Sequence, residues 1–295
     1  MVSRVAAASQ FAVYGPTFLD VVMGPLDGPP VPGRETWVEG ALMCAGGAAN
    51  QAIALARLGV PVRLHSRVGV DQMGVFVDEM LAREGVDTSS CERVGDQNVT
   101  VSLSFDGDRA MTTRGTTALP RLGGEAPACL LADVRGINAN SEVVSAWRER
   151  GTWVLADTAW DEAGAWDEAD LESLRLADVC TPNEEEALAY ARTDSVEDAA
   201  RWFASFGCDC VVTCGKNGAV ACVDGQILHV PAPAVSAVDT TGAGDVFSAA
   251  LAWARRERRL PWPEALALAC AAAAHSTQGI GGSSSAPYAA DLPDA

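Results

Sequence analysis

The sequence contains no apolar run long enough to cross a bilayer, and its first residues lack the basic-then-apolar pattern of a secretory signal peptide. Basic side chains are also scarce, since 21 Lys and Arg stand against 39 Asp and Glu and leave a formal net charge of −18. An acidic surface repels the phosphates of nucleic acids. We therefore expect a cytoplasmic protein that binds neither membranes nor nucleic acids.

No disulfide framework is visible in the nine cysteines, and none of them forms a CxxC pair. Cys208, Cys210 and Cys214 are closely spaced, but they lie in a segment with the apolar pattern of a buried strand. A buried free thiol behaves as a small hydrophobic side chain. The cysteine pattern thus predicts free thiols and no metal bound through them.

A Walker A phosphate loop is missing too, because no Gly-Lys-Ser or Gly-Lys-Thr triplet occurs in the sequence. Its absence excludes the P-loop kinases. Another type of anion site is predicted at residues 238–254, where turn-forming residues lead into an alanine-rich run typical of a buried helix. The amides of Gly242, Ala243 and Gly244 would lie at the N-terminal end of that helix, where the helix dipole attracts anions.

Asp245 places a carboxylate at the edge of this expected anion site. Such a carboxylate can accept the proton of a hydroxyl that attacks a phosphoryl group, while the amides stabilise the charge that develops. Aspartate is also a preferred helix N-cap residue, so a purely structural role is the alternative.

Residues 239–245, Asp-Thr-Thr-Gly-Ala-Gly-Asp, and the small-residue helix after them closely resemble the C-terminal signature of the ribokinase-like (PfkB) family of carbohydrate kinases. Residues 45–59, in which two glycines precede an amphipathic run closed by another glycine, resemble the N-terminal signature of that family. The resemblance extends over nearly the whole chain. It implies ATP-dependent phosphorylation of a sugar hydroxyl, with Asp245 as the catalytic base.

The resemblance also implies a set of sugar contacts. Gly46, Gly47 and Asn50 of the N-terminal signature would bind the sugar through backbone and carboxamide groups. Asp20 follows the predicted first strand, at residues 11–15, with the spacing of an aspartate that holds two sugar hydroxyls in the family. A turn aspartate is the alternative for Asp20.

The chain between residues 98 and 113 shows the pattern of a β-hairpin. Asn98–Phe105 alternates apolar with polar side chains, Asp106 and Gly107 form a turn signal, and residues 109–113 form the returning strand. Together with a short strand expected at residues 35–38, the hairpin resembles the small β-sheet lid of the family. A lid excludes water, which keeps a kinase from hydrolysing ATP.

Thr100, Arg109 and Arg114 of this hairpin are candidate sugar contacts, and solvated strand faces are the alternative for each of them. In relatives the lid is often a dimer interface. The resemblance therefore implies a homodimer that forms through the lid.

The middle of the chain alternates predicted strands and helices, which argues for a parallel sheet covered on both faces. The predicted order is strand, helix, strand, helix, strand at residues 136–139, 141–149, 152–157, 167–174 and 178–180. Ligands of such sheets bind beyond the carboxyl ends of the strands. The expected fold is α/β and ribokinase-like, with a mostly parallel central sheet flanked by helices on both faces and a small β-sheet lid. A single domain is expected over residues 1–295, with lid strands inserted at about 32–40 and 96–115.

Two further motifs resemble the nucleotide site of the family. Asn183 and Glu186 open a predicted helix and fit an Asn-x-x-Glu motif, which implies that Asn183 contacts ATP and that Glu186 helps to place Mg²⁺. An acidic first turn that complements the helix dipole is the alternative. Thr213, Gly215 and Gly218 match the family's Thr-x-Gly-x-x-Gly, which lines the phosphates and ribose of ATP.

Asp239, the carbonyl of Thr241 and carbonyls of residues 279–285 match the positions that often hold a monovalent cation in relatives. The glycines and serines of this loop permit such a cage of carbonyl groups. Potassium is therefore a candidate activator.

Two alternatives to a sugar kinase stay open. Adenosine- and inosine-type kinases share these motifs, although their pockets should be more aromatic than a lid that offers Phe105 alone. A sensor that kept the fold without the chemistry would bind sugar but would not turn over ATP.

Overall fold

The computed structural model describes residues 10–105, 108–158, 160–161 and 163–293, so the turn expected at Asp106 and Gly107 lies outside the described residues. The strands in these ranges are β1 (Phe11–Tyr14), β2 (Thr17–Leu26), β3 (Gly40–Gly47), β4 (Val62–His65), β5 (Arg67–Val68), β6 (Glu92–Arg93), β7 (Asn98–Phe105), β8 (Asp108–Arg114), β9 (Cys129–Asp133), β10 (Trp153–Asp157), β11 (Val179–Cys180), β12 (Asp209–Thr213), β13 (Ala219–Val223) and β14 (Gln226–Val230). The α-helices are α1 (Ala48–Arg57), α2 (Gln72–Arg83), α3 (Val134–Ala139), α4 (Ser141–Arg148), α5 (Glu184–Ala191), α6 (Val196–Ala204), α7 (Ala243–Arg256) and α8 (Trp262–Ser276). None of the described helices combines the length and apolarity that crossing a membrane requires.

Eight strands form the central sheet in the order β14-β13-β12-β11-β10-β9-β1-β4. The strands from β4 to β12 in this order run parallel, β13 is antiparallel to them, and β14, which pairs antiparallel with β13, again runs in their direction. Helices cover both faces, which is why β1 and β9 are buried almost throughout and occur in the sequence as unbroken apolar runs. The parallel arrangement brings the carboxyl ends of β9, β10, β11 and β12 to one edge of the sheet, where ligands of such folds bind.

Each face of the central sheet carries its own hydrophobic core. Phe11 and Val13 of β1 belong to the core that α1, α2, α7 and α8 cover, whereas Ala12 and Tyr14 belong to the core on the opposite face. Successive side chains of a strand alternate between faces, so one strand serves both cores. Helix α7 packs against α1 and α8, and these contacts set the position of its N-terminal end.

The lid is a separate four-stranded sheet in the order β3-β2-β7-β8, and it contains the expected hairpin as β7 and β8. The strand expected at residues 35–38 is wrong, since this segment is irregular and Trp37 is 85% exposed. The lid instead includes β2 and β3, which pair antiparallel from Thr17 opposite Gly47 to Gly24 opposite Gly40. The sequence conceals β2 because Gly24 and Pro25, which normally indicate a turn, interrupt it.

The strand expected at residues 136–139 is also wrong. These residues belong to α3, and the strand in this part of the chain is β9, which ends at Asp133. The side chain of Asp133 accepts a hydrogen bond of 2.5 Å from the amide of Gly136 and so caps α3. One aspartate therefore both ends the strand and begins the helix. The helix expected at residues 167–174 is a 3₁₀ helix, Glu168–Leu176.

Candidate active site

The first turn of α7 provides backbone amides beside the carboxyl edge of the sheet. Gly242 is its N-cap residue and has a φ of 70°, in the left-handed region that favours glycine. A Cβ atom there would also lie 2.8 Å from Cα of Gly282, so the space excludes a larger residue. No side chain in the described part of the protein caps α7, although the amide of Ala243 donates to the carbonyl oxygen of Thr240 at 3.2 Å. A helix end of this type attracts anions.

Asp245 lies in this first turn without capping it, because Gly242 holds the N-cap position. Its Oδ2 accepts a hydrogen bond of 3.0 Å from Nδ2 of Asn50 in α1. Burial raises the pKa of Asp245 to about 6, while hydrogen bonds from Asn50 and Gln51 lower it and the charge of Asp20 raises it. A carboxylate whose pKa lies near neutrality is suited to proton transfer.

Asp20 lies in the middle of β2, so it is not a turn aspartate. It shares a face of the lid with Cys44 and Thr100, its register partners on β3 and β7. A Cβ atom at Gly46 would lie 1.8 Å from Oδ2 of Asp20, so the glycine leaves room for the carboxylate. Burial raises the pKa of Asp20 to about 6, and a hydrogen bond with Thr100 lowers it. Thr100 and Thr113 add paired hydroxyls, 3.1 Å apart, to this face.

The start of α1 lies between the lid and α7. Gly47 is the N-cap residue of α1 with a φ of 63°, and a Cβ atom there would lie 2.4 Å from the carbonyl oxygen of Pro16. Asn50 follows within the first turn and is 4% exposed. Its Oδ1 accepts a hydrogen bond of 3.1 Å from the amide of Ser283. The glycine thus allows the close approach of β2 that brings Asp20 and Asn50 to the same site.

The two candidate arginines of β8 have different surroundings. Arg109 donates a hydrogen bond of 3.3 Å from Nη1 to Oγ1 of Thr240, in the loop that leads to α7. Arg114 instead forms an exposed ion pair of 2.6 Å with Asp96. The structure therefore brings Arg109 to the site and leaves Arg114 outside it.

Asn183 and Glu186 form a reciprocal capping box at the start of α5. The amide of Glu186 donates to Oδ1 of Asn183 at 2.8 Å, and the amide of Asn183 donates to Oε2 of Glu186 at 3.1 Å. The same Oε2 accepts a hydrogen bond of 2.5 Å from the hydroxyl of Thr158. Burial has the larger effect on the pKa of Glu186 and raises it above its ordinary value, although hydrogen bonds from Thr158 and Asn183 lower it. This network joins α5 to the loop after β10.

The turn after β12 lies next to this capping box. Thr213 is the last residue of β12 and pairs with Asn183 in an isolated bridge. Gly215 and Gly218 adopt φ values of 52° and 92°, and a Cβ atom at Gly218 would lie 2.0 Å from the carbonyl oxygen of Val230. The glycines therefore allow a tight, exposed turn beside the N-terminal end of α5.

Asp157, the last residue of β10, is a candidate that sequence reasoning missed. Burial and the charges of Asp245, Glu186 and Asp133 raise its pKa well above the usual range. These carboxyl groups come from four different elements and converge at one edge of the sheet. Repulsion among them favours the protonated form of Asp157, and the described residues contain no group of three or more His, Cys, Asp or Glu side chains placed to hold a metal ion by themselves. An aspartate at the end of an apolar strand was the signal that could have found it.

Asp239 joins the loop before α7 to the C-terminal loop. Its Oδ1 accepts hydrogen bonds from the amide and hydroxyl of Thr241 at 2.9 and 2.7 Å, and its Oδ2 accepts one from the amide of Gly281 at 2.8 Å. Although burial raises the pKa of Asp239, these hydrogen bonds and the charge of Arg109 lower it overall. The carboxylate therefore holds together the two loops to which sequence reasoning assigned a cation.

Known proteins resemble this chain over most of its length. The sequence pattern of the pfkB family carbohydrate kinase matches residues 38–119 and 129–289. A fructokinase of Klebsiella pneumoniae is 35% identical over 282 residues, which cover 85% of this chain and 91% of that protein. The solved structure of Arabidopsis thaliana ribokinase complexed with ribose and ATP superposes with a TM-score of 0.79 at 25% identity, over 96% of this chain and 97% of that chain. A structure from Escherichia coli in complex with ATP and Mg²⁺ superposes with a TM-score of 0.80 at 22% identity, over the same shares of the two chains.

Proposed function

The chain belongs to the pfkB family of carbohydrate kinases, and from that membership we propose that it transfers the γ-phosphoryl group of ATP to a hydroxyl of a free pentose or ketohexose. It is an ATP-dependent sugar kinase of the ribokinase and fructokinase type. The observation that carries the proposal for this site is the Asp245 carboxylate in the first turn of α7, which accepts a hydrogen bond of 3.0 Å from Asn50.

Asp245 is the proposed catalytic base. Its carboxylate accepts the proton of the sugar hydroxyl, whose oxygen attacks the γ-phosphorus as the bond to the β,γ-bridging oxygen breaks and ADP leaves. The amides of Gly242, Ala243 and Gly244 stabilise the charge on the phosphoryl group during transfer. Support for this role comes from the uncapped N-terminal end of α7, which lies within one helical turn of the base.

The sugar is proposed to bind between the lid and the first turn of α1. Asp20 accepts hydrogen bonds from two neighbouring hydroxyls, and the backbone at Gly46 and Gly47 lies against the sugar. Thr100 and Arg109 add contacts from the lid. Supporting this arrangement, Asp20 and Thr100 are hydrogen-bonded neighbours, and the missing side chain at Gly46 leaves room for the Asp20 carboxylate.

The nucleotide is proposed to bind at the ends of β11 and β12. The residues that would contact it are Asn183, Thr213, Gly215, Gly218 and Gly244. When bound, Mg²⁺ would neutralise charge on the phosphates of ATP. Glu186 would help to place it indirectly from the start of α5, and Asp157 adds a second carboxyl group at this edge of the sheet, which suits an ion held through few carboxylates and the phosphates of ATP.

We also propose a monovalent cation site beside α7, formed by the carbonyl of Thr241, carbonyls of residues 279–285 and Asp239. Asp239 already joins these loops through Thr241 and Gly281, which supports the proposal. A cation there would stabilise the loop that precedes the anion site. Potassium is therefore expected to raise turnover.

The turnover number is expected to fall as the pH drops through about 6. Asp245 must be ionised to act as a base, and burial raises its pKa to about 6, so protonation removes the base below that pH. Asp20 titrates in the same range, and kcat must therefore be measured at saturating sugar. A kcat that stays constant down to roughly pH 4.5 would contradict a base with a raised pKa.

The lid is further proposed to form a homodimer. Its face opposite Asp20 carries Met43 and Val101, which flank Val21 in register and are 49% and 36% exposed. Light scattering should give the mass of two chains, and Met43→Arg should reduce it to one because a charge would enter the apolar contact. Met73→Arg on α2, where Met73 is 46% exposed, is the control and should leave the dimer intact. A single-chain mass for the unmodified protein would contradict the proposal.

Release of ADP from Mg-ATP tests the proposed function. The purified protein is assayed with pentoses, hexoses, ketoses, sugar acids and nucleosides, with and without potassium, and Asp245→Asn serves as the blank. Turnover on a free sugar that is absent in the variant supports the proposal. Turnover confined to nucleosides would favour the nucleoside-kinase alternative, and sugar binding without ADP release would favour the sensor.

A further inference from the structure

The carboxamide of Asn50 is engaged at both of its ends. Its Nδ2 donates a hydrogen bond of 3.0 Å to Oδ2 of Asp245, and its Oδ1 accepts one of 3.1 Å from the amide of Ser283. The residue is almost fully buried. Three distant parts of the chain, namely the first turns of α1 and α7 and the 3₁₀ turn Gly282–Ser285, therefore meet at this one group.

The backbone around Asn50 closes on its carboxamide. A Cβ atom at Gly242 would lie 3.1 Å from Nδ2, and one at Gly282 would lie 2.7 Å from Oδ1. Turning the carboxamide over would place Oδ1 against the Asp245 carboxylate and Nδ2 against the Ser283 amide, and both contacts would be repulsive. The side chain is thus held in a single orientation by its partners and by the two glycines.

We propose that Asn50 is a positioning residue for the catalytic base, in addition to the sugar contact that its motif implies. This inference rests on the proposed role of Asp245. An amide nitrogen carries two N–H groups, so one can hold Asp245 while the other contacts the sugar. One planar group then places the base and the attacking hydroxyl relative to each other, and a misplacement of about 1 Å at such a point costs on the order of a hundredfold in rate.

A neutral donor is needed at this position because other carboxyl groups face Asp245. The charge of Asp20 from β2 disfavours its ionised form, and the charge of Asp245 in turn raises the pKa of Asp157 from β10. On the α1 side, Asn50 and Gln51 are neutral amides whose hydrogen bonds favour the carboxylate. Without the Asn50 donor, burial and repulsion would keep the proton on Asp245 up to a higher pH.

The test compares the pH profile of kcat and the KM for sugar in Asn50→Asp and Asn50→Ala. Asn50→Asp keeps the acceptor for Ser283 but puts a second carboxylate against Asp245. The acid limb of the kcat profile, where kcat falls as Asp245 is protonated, is expected to move to higher pH by about one unit or more. The maximal kcat is expected to fall about tenfold or more. Asn50→Ala removes the donor without adding charge, so a smaller rise in the same direction is expected. A higher KM with an unchanged acid limb and kcat in a folded variant would make Asn50 a sugar contact alone and overturn the inference.

Asn98→Asp is the matched control, because Asn98 is another buried asparagine engaged at both ends. Its Nδ2 donates to the carbonyl oxygen of Thr116 at 3.0 Å, and its Oδ1 accepts from the Thr116 amide at 2.8 Å, at the base of the lid. This variant should lose stability without moving the acid limb, and an equal shift would overturn the inference. Asp245→Asn separates the proposal that Asp245 is the base from the proposal that Asn50 positions it. If Asp245→Asn abolishes turnover while the Asn50 variants keep the original acid limb, only the positioning role of Asn50 is refuted. Full turnover in Asp245→Asn would refute the role of Asp245 as the base.

Discussion

Asp245→Asn is expected to lower turnover at least about a hundredfold, the contribution of a general base, while sugar and ATP still bind. Asparagine keeps the size of the side chain, and its Oδ1 can accept the hydrogen bond that Asn50 donates at 3.0 Å. It cannot take up the proton of the sugar hydroxyl, so only the chemical step is removed. ADP release at saturating substrates gives kcat, and calorimetry gives the sugar affinity.

The same substitution should stabilise the folded chain at neutral pH. The folded-state pKa of Asp245 is raised from 3.8 to about 6, so its ionised form is less favourable in the folded than in the unfolded chain. This group therefore reduces the free energy of unfolding as the pH rises from about 4 through 6, and the loss persists above that range. The melting temperature of Asp245→Asn should exceed that of the unmodified protein at about pH 7.5 and approach it near pH 4.

Asp71→Asn is a suitable control for the loss of turnover. Asp71 caps α2 by accepting a hydrogen bond of 2.8 Å from the amide of Gly74, and asparagine can replace it as a cap. Turnover should therefore stay close to the original value, because the substitution keeps the cap of α2 and leaves the candidate site unchanged. Full turnover in Asp245→Asn would instead exclude Asp245 as the base.

Gly242→Ala is expected to lower kcat about a hundredfold or more, the typical loss when an anion-hole donor is displaced. A Cβ atom at this position would lie 2.8 Å from Cα of Gly282 and 3.1 Å from Nδ2 of Asn50. The backbone would have to leave its φ of 70°, and the first amides of α7 would move away from the phosphoryl group. The measurement is kcat for ADP release at saturating sugar and ATP.

Gly85→Ala separates this effect from backbone strain in general. Gly85 follows α2 with a φ of 76°, and a Cβ atom there would have no heavy atom within 4 Å. Both variants carry the left-handed strain of about 1 to 2 kcal/mol, so thermal melts should show a loss of stability in each. Only Gly242→Ala should lose turnover. A folded Gly242→Ala variant with the original kcat would show that the α7 amides do not form the anion site.

Helix starts at the candidate site could be predicted because their signals are local. Gly47 and Gly242 directly precede α1 and α7, and Asn183 with Glu186 forms the cap of α5. Each of these signals involves residues within one turn of each other. Those candidate residues for the sugar, the base and the nucleotide that lie at helix starts could therefore be placed there without the structure.

The predictions of strands at residues 35–38 and 136–139 were wrong because a strand depends on partners that are distant in sequence. Residues 136–139, Gly-Ile-Asn-Ala, are too few to distinguish a strand from a helix by their pattern, and the side chain of Asp133 caps them as part of α3. Residues 35–38 have β propensity, but they pair with no strand in the part of the chain that the structure describes. β2 has partners on both sides, β3 and β7, which outweigh the turn signals of Gly24 and Pro25.

The sequence by itself determined the family, the fold type and the side chains available for chemistry, because these follow from motifs of adjacent residues. Only the tertiary structure decided which of these side chains meet. Asn50 is 195 residues from Asp245 and 233 residues from Ser283 along the chain, and all three converge because packing of α1 against α7 and the parallel order of the sheet bring their loops to one edge. The structure also decided the pKa values of Asp20 and Asp245, since burial raises both to about 6 and the charge of Asp20 adds to the effect at Asp245, which residue type alone does not predict.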